Sequence, residues 1–420
     1  MAENRTTTGK DAYVTLLTRP SYLAGAILLA YTLTKHSPST PLIITYTPET
    51  LCSSCIAALK AEAKHSNIIL HPVEHLRLPD DGTDHGMVAE RFIDTWTKLR
   101  VFDLHALDQK FERICWLDAD MMVFSDPSPL IFNAENDAYL TGGEGKGNRL
   151  MAVHTCVCNL DGDAWAPDNW TPSNCAMSYV SSPDDVAHVD HDSPTLGNFN
   201  SGTFLFRPSP ALSAFVHTHF TQLGTAALRA MKFPDQDFLN AAFARSWAPL
   251  SWRTNALKTW RYWHPTFWAD DRVAVLHYIV DKPWAARVSA TGKAGYAGKD
   301  GETHGWWWAE YAAWVGERER TGESELLAEV GRYVASEEGE VGEEMRAVGA
   351  GAQAFARKWE GRKGGGQKEA GENDGSHGPV LRKRMLGERG HGPVVRGGGI
   401  GGQRGGRGRG WGNGWSVMDP

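Results

Sequence analysis

Residues 113–126 read R-I-C-W-L-D-A-D-M-M-V-F-S-D, from Arg113 to Asp126. Ile114 to Leu117 is a short apolar run with polar residues on both sides, the mark of a strand buried on both faces. It runs straight into Asp118 and Asp120. In extended backbone these side chains leave on the same side, while the small Ala119 between them points away. Carboxylates so placed suit a hard divalent cation, magnesium or manganese, which takes oxygen ligands and keeps positions open for a substrate's phosphates. On its own a D-x-D is more often a solvated strand end. In an open α/β sheet, however, ligands bind beyond the carboxyl ends of the strands, where these acids stand.

The segments before this stretch supply the rest of such a sheet. Ala12 to Thr18 reads as a first strand, Arg19-Pro20 as a turn and Tyr22 to Lys35 as an apolar helix. Pro41 to Thr47 follows as a second strand, Leu51 to Lys64 as a second helix and Asn67 to Val73 as a third strand. This βαβαβ order predicts a parallel, doubly wound sheet with helices on both faces. This N-terminal half carries neither G-x-G-x-x-G nor G-x-x-x-x-G-K-[ST], which disfavours a dinucleotide enzyme or a P-loop ATPase. Phe92 to His105 has helical spacing and carries Lys98 just before the acidic strand, in reach of a phosphate or sugar.

Downstream, Thr141 to Gly197 reads as a loop-like flap, with Trp165, Trp170 and three cysteines (Cys156, Cys158, Cys175) favouring order over a linker. A zinc site built from these cysteines with His154 does not fit standard finger spacing. The Cys52-x-x-Cys55 pair has no second C-x-x-C, so a plain structural role is the reading there too. Phe199 to Pro208 reads as a strand with Asn200-Ser201 at its mouth. Ala211 to Met231 reads as an amphipathic helix, and Asp235 and Gln236 open another behind Pro234. His277 follows the apolar run Val273 to Leu276, with Lys282 five residues on, and is a candidate third metal ligand.

Charge divides the chain. Residues 361–420 hold 11 Lys+Arg against 5 Asp+Glu, and the first 360 hold 32 against 45. The last 60 residues also contain 21 of the 45 glycines and end in an Arg-Gly run, a composition that builds no core. They read as a disordered basic tail, the only segment where nucleic acid is an expected partner. Residues 316–360 read as a charged helical linker. The start lacks a targeting segment, and Tyr22 to Leu33 is too short for a membrane span, so a cytoplasmic protein is expected.

Five ordered motifs, A-Y-V-T-L, L-D-A-D, F-N-S-G, D-Q-D-F-L-N and H-Y-I-V-D-K-P-W, together resemble the family 8 glycosyltransferases over about residues 11–315. The resemblance implies a GT-A fold, a UDP-sugar donor, Mn²⁺ and retention of anomeric configuration. Carried over by position, it implies Asp118, Asp120 and His277 as metal ligands and Leu16, Thr18 and Tyr22 at the uridine. It also implies Lys98 and Ala119 at the donor, Asn200 and Ser201 at the sugar, Asp235 and Gln236 under the reacting centre, and Lys282 at the diphosphate. The loop from His277 to Lys282 lacks the family's glycine, and Lys232 stands where an acidic residue is usual. The flap and the tryptophan-rich segment Trp306 to Trp314 resemble the galactinol synthase branch, which implies a small polyol or saccharide acceptor. Glycogenin-like self-glucosylation is the alternative, with Tyr262 as the candidate acceptor, and a homodimer is compatible with either. A non-catalytic nucleotide-sugar or RNA-binding protein is the alternative of another class.

Overall fold

The computed structural model describes residues 10–79, 87, 90–142, 148–160, 162, 166–337 and 345. The tail from 361, the stretch 346–360 and Trp165 lie outside them. Among the described residues there are ten strands: β1 Asp11–Leu17, β2 Leu42–Tyr46, β3 Ile68–Pro72, β4 Arg113–Leu117, β5 Met121–Val123, β6 Leu150–His154, β7 Phe199–Phe206, β8 Trp247–Pro249, β9 Ala256–Leu257 and β10 Val275–His277. Seven form one sheet in the order β3-β2-β1-β4-β7-β6-β8. The pairs from β3 to β4 are parallel, β7 is antiparallel to both its neighbours, and β8 runs parallel to β6. The result is a mixed, mostly parallel sheet of the GT-A type. A second sheet, β5-β10-β9, lies beside it.

Strand alternation sorts the core into two layers. On one face Tyr13, Leu17, Leu42, Ile44, Cys115 and Leu117 pack with Ala24, Ile27 and Leu28 of the Leu23–His36 helix. On the other, Ala12, Val14, Ile43, Ile114 and Trp116 pack with Leu99 and Phe102 of the 3-10 helical segment Glu90–Ala106 and with Leu212 and Val216 of the Pro210–Ala230 helix. Covering both faces explains why β1, β2 and β4 read as nearly continuous apolar runs.

Two expectations change. The segment 141–197, read as loop throughout, contains β6, whose five residues are all buried between β7 and β8. Its run is short and bounded by polar residues, so its strand character comes from the neighbours it pairs with. The linker reading from 316 also fails as far as 335. The helix Gly301–Arg320 continues through it, and a further helix, Ser324–Gly331, buries Leu326 and Val330 in the core. Arg318 anchors this end by donating to both oxygens of the buried Glu62, at 2.9 and 2.6 Å, while Trp314 donates to Glu62 at 3.0 Å. A buried two-pronged arginine–carboxylate pair is strongly directional, and polar composition alone does not reveal it.

Candidate functional site

A cavity of about 520 Å³ opens at the carboxyl ends of β1 and β4 and at the mouth of β7. Leu16 and Thr18 reach it from the end of β1, and Tyr22 from the turn that follows. Asp118, Ala119 and Asp120 form part of it after β4, Asn200 and Ser201 at the start of β7, and Asp235 and Gln236 at a helix start. Lys98, His277 and Lys282 complete the set singled out from sequence, so the fold brings all thirteen residues to one wall system.

The route by which the two acids converge differs from the expected extended strand. β4 stops at Leu117, and the amide of Met121 donates to the carbonyl of Asp118 at 3.1 Å, so D-A-D is a tight turn into β5. Ala119 therefore lines the cavity instead of pointing away. Its carbonyl also lies so near the first helix that a Cβ on Gly25 would stand 2.3 Å from it. Only glycine permits that approach.

His277 faces both acids, with Nε2 3.2 Å from Asp120 Oδ1 and 3.8 Å from Asp118 Oδ2. Its other nitrogen, Nδ1, lies 2.9 Å from Asn255 Oδ1. Asn255 in turn donates to Asn200 Oδ1 at 2.9 Å, and Asn200 donates to Gln236 Oε1 at 3.0 Å. Asn255 Oδ1 can only accept, so it takes the Nδ1–H of His277, and the neutral ring turns the Nε2 lone pair toward the carboxylates. Three lone-pair donors pointed at one another are held favourably by a cation. The donor set, two carboxylates and an imidazole within 4.8 Å of one another, fits a divalent ion of the hard or borderline kind. A Cβ on Gly202 would stand 2.4 Å from His277 Cε1, so the glycine of F-N-S-G makes room for the ring.

Two lysines balance these acids. Lys98 is buried and lies 2.9 Å from Asp118 Oδ1 and 2.5 Å from Asp235 Oδ2, and it donates to the Ser201 carbonyl at 3.2 Å. Burial works against its charge, but Asp118 and Asp235 outweigh it and hold its pKa above the ordinary lysine value. Ser201 donates its hydroxyl to the same Asp235 oxygen at 2.8 Å. Lys282 pairs with Asp120 and donates to the Tyr278 carbonyl at 2.8 Å. Burial also opposes the charge on Asp120, yet the Lys282 ammonium holds its carboxyl well below the usual range. In the loop between, Val280 takes φ +64°, a left-handed conformation that a β-branched residue enters only under strain. This is the loop whose family glycine is missing.

The remaining wall is aromatic. Trp170 from the flap stacks on Phe233 at 6.2 Å with ring planes 6° apart, Phe92 tilts against Phe233, and Trp263 adds a further indole. Arg19 and Asp94, which pair with each other, also line the cavity. Sequence reading missed Arg19, Asp94 and Asn255, because none stands in a motif; each is defined by partners far along the chain. Tyr262 is half-buried, set edge-on to Trp263 with Lys299 over its ring at 5.2 Å. His154 is not beside the flap cysteines as a donor. It packs edge-on to Trp247 of β8, where burial lowers its pKa to about 4.

The sequence profile of glycosyl transferase family 8 matches residues 13–287. Galactinol synthase 4 of Arabidopsis thaliana is 26% identical over 283 residues, which is 66% of this chain and 74% of that protein. Galactinol synthase 7 of the same plant is 27% identical over 281 residues, 65% of this chain and 74% of its own length. Among solved structures, an active-site mutant of LgtC aligns with a TM-score of 0.47 at 18% identity, covering 71% of this chain and 95% of that one.

Proposed function

Starting from a chain that belongs to glycosyl transferase family 8, we propose that it transfers a hexose from a UDP-sugar to a hydroxyl of a free small polyol or saccharide, with retention and with Mn²⁺ or Mg²⁺ as cofactor. One observation carries the reading: the Asp118–Asp120–His277 cluster and the Lys98–Asp235 pair share a single cavity with an aromatic wall. Asp118, Asp120 and His277 would hold the metal, which supplies positive charge for the departing diphosphate. Lys282 adds a fixed positive charge on the same side. Leu16, Thr18 and Tyr22 would cradle the uridine, and Ala119 presents a small face beside it. Asn200 and Ser201 would bind hydroxyls of the sugar.

In the reaction the bond from sugar C1 to the diphosphate oxygen breaks, and its electron pair leaves with UDP. The acceptor oxygen forms the new bond to C1 and gives up its proton to the departing diphosphate oxygen. Positive charge on the ring at that moment is best met by Asp235, which Lys98 and Ser201 hold in place, with Gln236 as a polar neighbour. Trp170, Phe233 and Trp263 offer flat faces of the kind that stack on sugar rings. This favours a free acceptor, the substrate type of galactinol synthases, over self-glucosylation.

A panel of UDP-sugars with Mn²⁺, with and without inositols and simple saccharides, tests the proposal by UDP release. Acceptor-stimulated release is expected, with no hexose added to the protein. Intact-mass gains that vanish in Tyr262→Phe would instead establish self-glucosylation, and the absence of release with every donor would remove the enzymatic reading.

A further inference from the structure

Three cysteines and a histidine meet at one point on the flap side of the cavity. Cys158 Sγ lies 3.3 Å from His264 Nε2, Cys156 Sγ 3.5 Å and Cys175 Sγ 4.0 Å, while Cys175 and Cys156 sulfurs are 4.0 Å apart. All four donor atoms fall within 4.8 Å of one another, and none of the cysteines is in a disulfide. For zinc with about 2.3 Å to sulfur and about 2.0 Å to nitrogen, a tetrahedron has edges of about 3.8 Å between sulfurs and about 3.5 Å from sulfur to nitrogen. The four separations, 3.3 to 4.0 Å, bracket the edges of such a tetrahedron.

How the chain delivers these groups supports the same reading. From Thr155 to Leu160 the backbone leaves the sheet with no helix or strand, and Cys156 and Cys158, two apart, turn their sulfurs to the same side. A 3-10 turn, Pro172–Asn174, then brings in Cys175. From the far side, His264 ends the short helix Trp260–Trp263, and its ring stacks on Phe267 at 5.6 Å. These segments fold only as turns locally, yet Cys158, Cys175 and His264 are buried and aimed at one centre. Thiols and an imidazole gain little from one another as hydrogen-bond partners, sulfur being a weak donor and acceptor. A soft cation binds all four. The Cys52–Cys55–Glu329 group makes a contrast: its sulfurs are 2.8 Å apart, too close for a tetrahedral edge, and it offers only three donors.

We propose that Cys156, Cys158, Cys175 and His264 form a structural zinc site that staples the flap to the 260–268 segment. With four protein donors it is closed, so it holds shape and leaves no position for substrate. What it shapes is the cavity wall, because Cys156 and Trp263, the residue before His264, both line that cavity and Trp170 lies between Cys158 and Cys175 in the chain. The donor set is distinct from Asp118, Asp120 and His277 in residues and in chemistry.

The test is metal analysis of the purified full-length protein after dialysis, with cobalt incorporation as a second readout. About one zinc per chain is expected, retained in the Asp118→Asn/Asp120→Asn double variant and lost in Cys158→Ser and in His264→Asn. Should the cysteine and histidine variants fail to fold, protein produced with cobalt in place of zinc keeps the question open to measurement. A thiolate-to-cobalt absorption band with the visible bands of a tetrahedral ion is expected in the native chain and in the Asp118→Asn/Asp120→Asn variant. Metal-free protein without that band, or zinc that disappears with the two aspartates, would overturn the proposal.

Discussion

Of two clusters of donor atoms, one lines the cavity and the other meets it only at Cys156, and they differ in number, softness and access. Asp118, Asp120 and His277 offer two oxygens and a nitrogen at the cavity floor, with the Asp118 side chain 25% exposed. Cys156, Cys158, Cys175 and His264 offer three sulfurs and a nitrogen, with Cys175 at 0% and His264 at 7% exposure. Three donors, two of them hard carboxylates, leave room for a substrate's phosphates, whereas four donors, three of them soft thiolates, close a coordination sphere. On the two proposals, one domain gives chemistry to one set and architecture to the other. The open set should govern rate and reversible metal dependence.

The largest effect expected of the open set is on turnover. Asp118→Asn and Asp120→Asn should each lower UDP release on the order of 10²-fold or more, with little change in melting temperature, because these groups serve charge stabilisation rather than packing. A variant with full activity at saturating UDP-sugar would break the distinction.

A smaller effect sharpens it. Asn255 does not face the cation position but fixes the His277 ring through Nδ1. Asn255→Ala should raise the Mn²⁺ concentration giving half-maximal activity roughly 10–100-fold, the cost usual for loss of a ligand's outer partner, while activity at saturating Mn²⁺ stays near that of the parent. An equal fall in rate at every Mn²⁺ concentration would assign Asn255 to the substrate instead.

The scaffold under Lys282 provides a pH test. Lys258, buried, donates to the carbonyl of Asp281 at 3.0 Å and pairs with Asp300 at 2.7 Å, and its Nζ is 3.2 Å from His304 Nε2. Burial first, and then the charge on Lys258, lower the His304 pKa from 6.5 to about 3. Its folded pKa lies below the unfolded one, so its contribution is complete above pH 6.5 and is lost as the pH falls toward 3. The loss amounts to roughly 1.4 kcal/mol per unit at most. His304→Asn should therefore show a shallower decline of melting temperature than the parent between pH 6.5 and 4.5, and parallel curves would refute the assignment.

The smallest effect concerns Val280. Glycine at this left-handed position should raise stability by about 1 kcal/mol, read as a small rise in melting temperature, because relief of strain exceeds the entropy that glycine adds to the unfolded chain. A lower melting temperature would show that the valine side chain is needed where it stands.

Local pattern made much of this legible. Apolar runs gave β1, β2, β3 and β4, and the order of the motifs pointed to the residues that share the cavity. Distance along the chain hid the rest. Lys98 and Asp235 are 137 residues apart, and Cys156 and His264 are 108 apart. No periodicity announces either pairing. His154 stands two residues before Cys156 and so looks like its partner, but it still belongs to β6, where Trp247 claims its ring. The D-A-D turn shows the converse case: the acids converge as expected, by a backbone turn that residue types alone do not specify.

Whether the open cluster binds a metal together with a nucleotide diphosphate is decided by calorimetric titration of UDP into the protein with and without Mn²⁺. Binding is expected to require Mn²⁺ and to be lost in Asp118→Asn/Asp120→Asn while the zinc content stays unchanged. UDP binding of equal strength without Mn²⁺, or undiminished in the double variant, would contradict it.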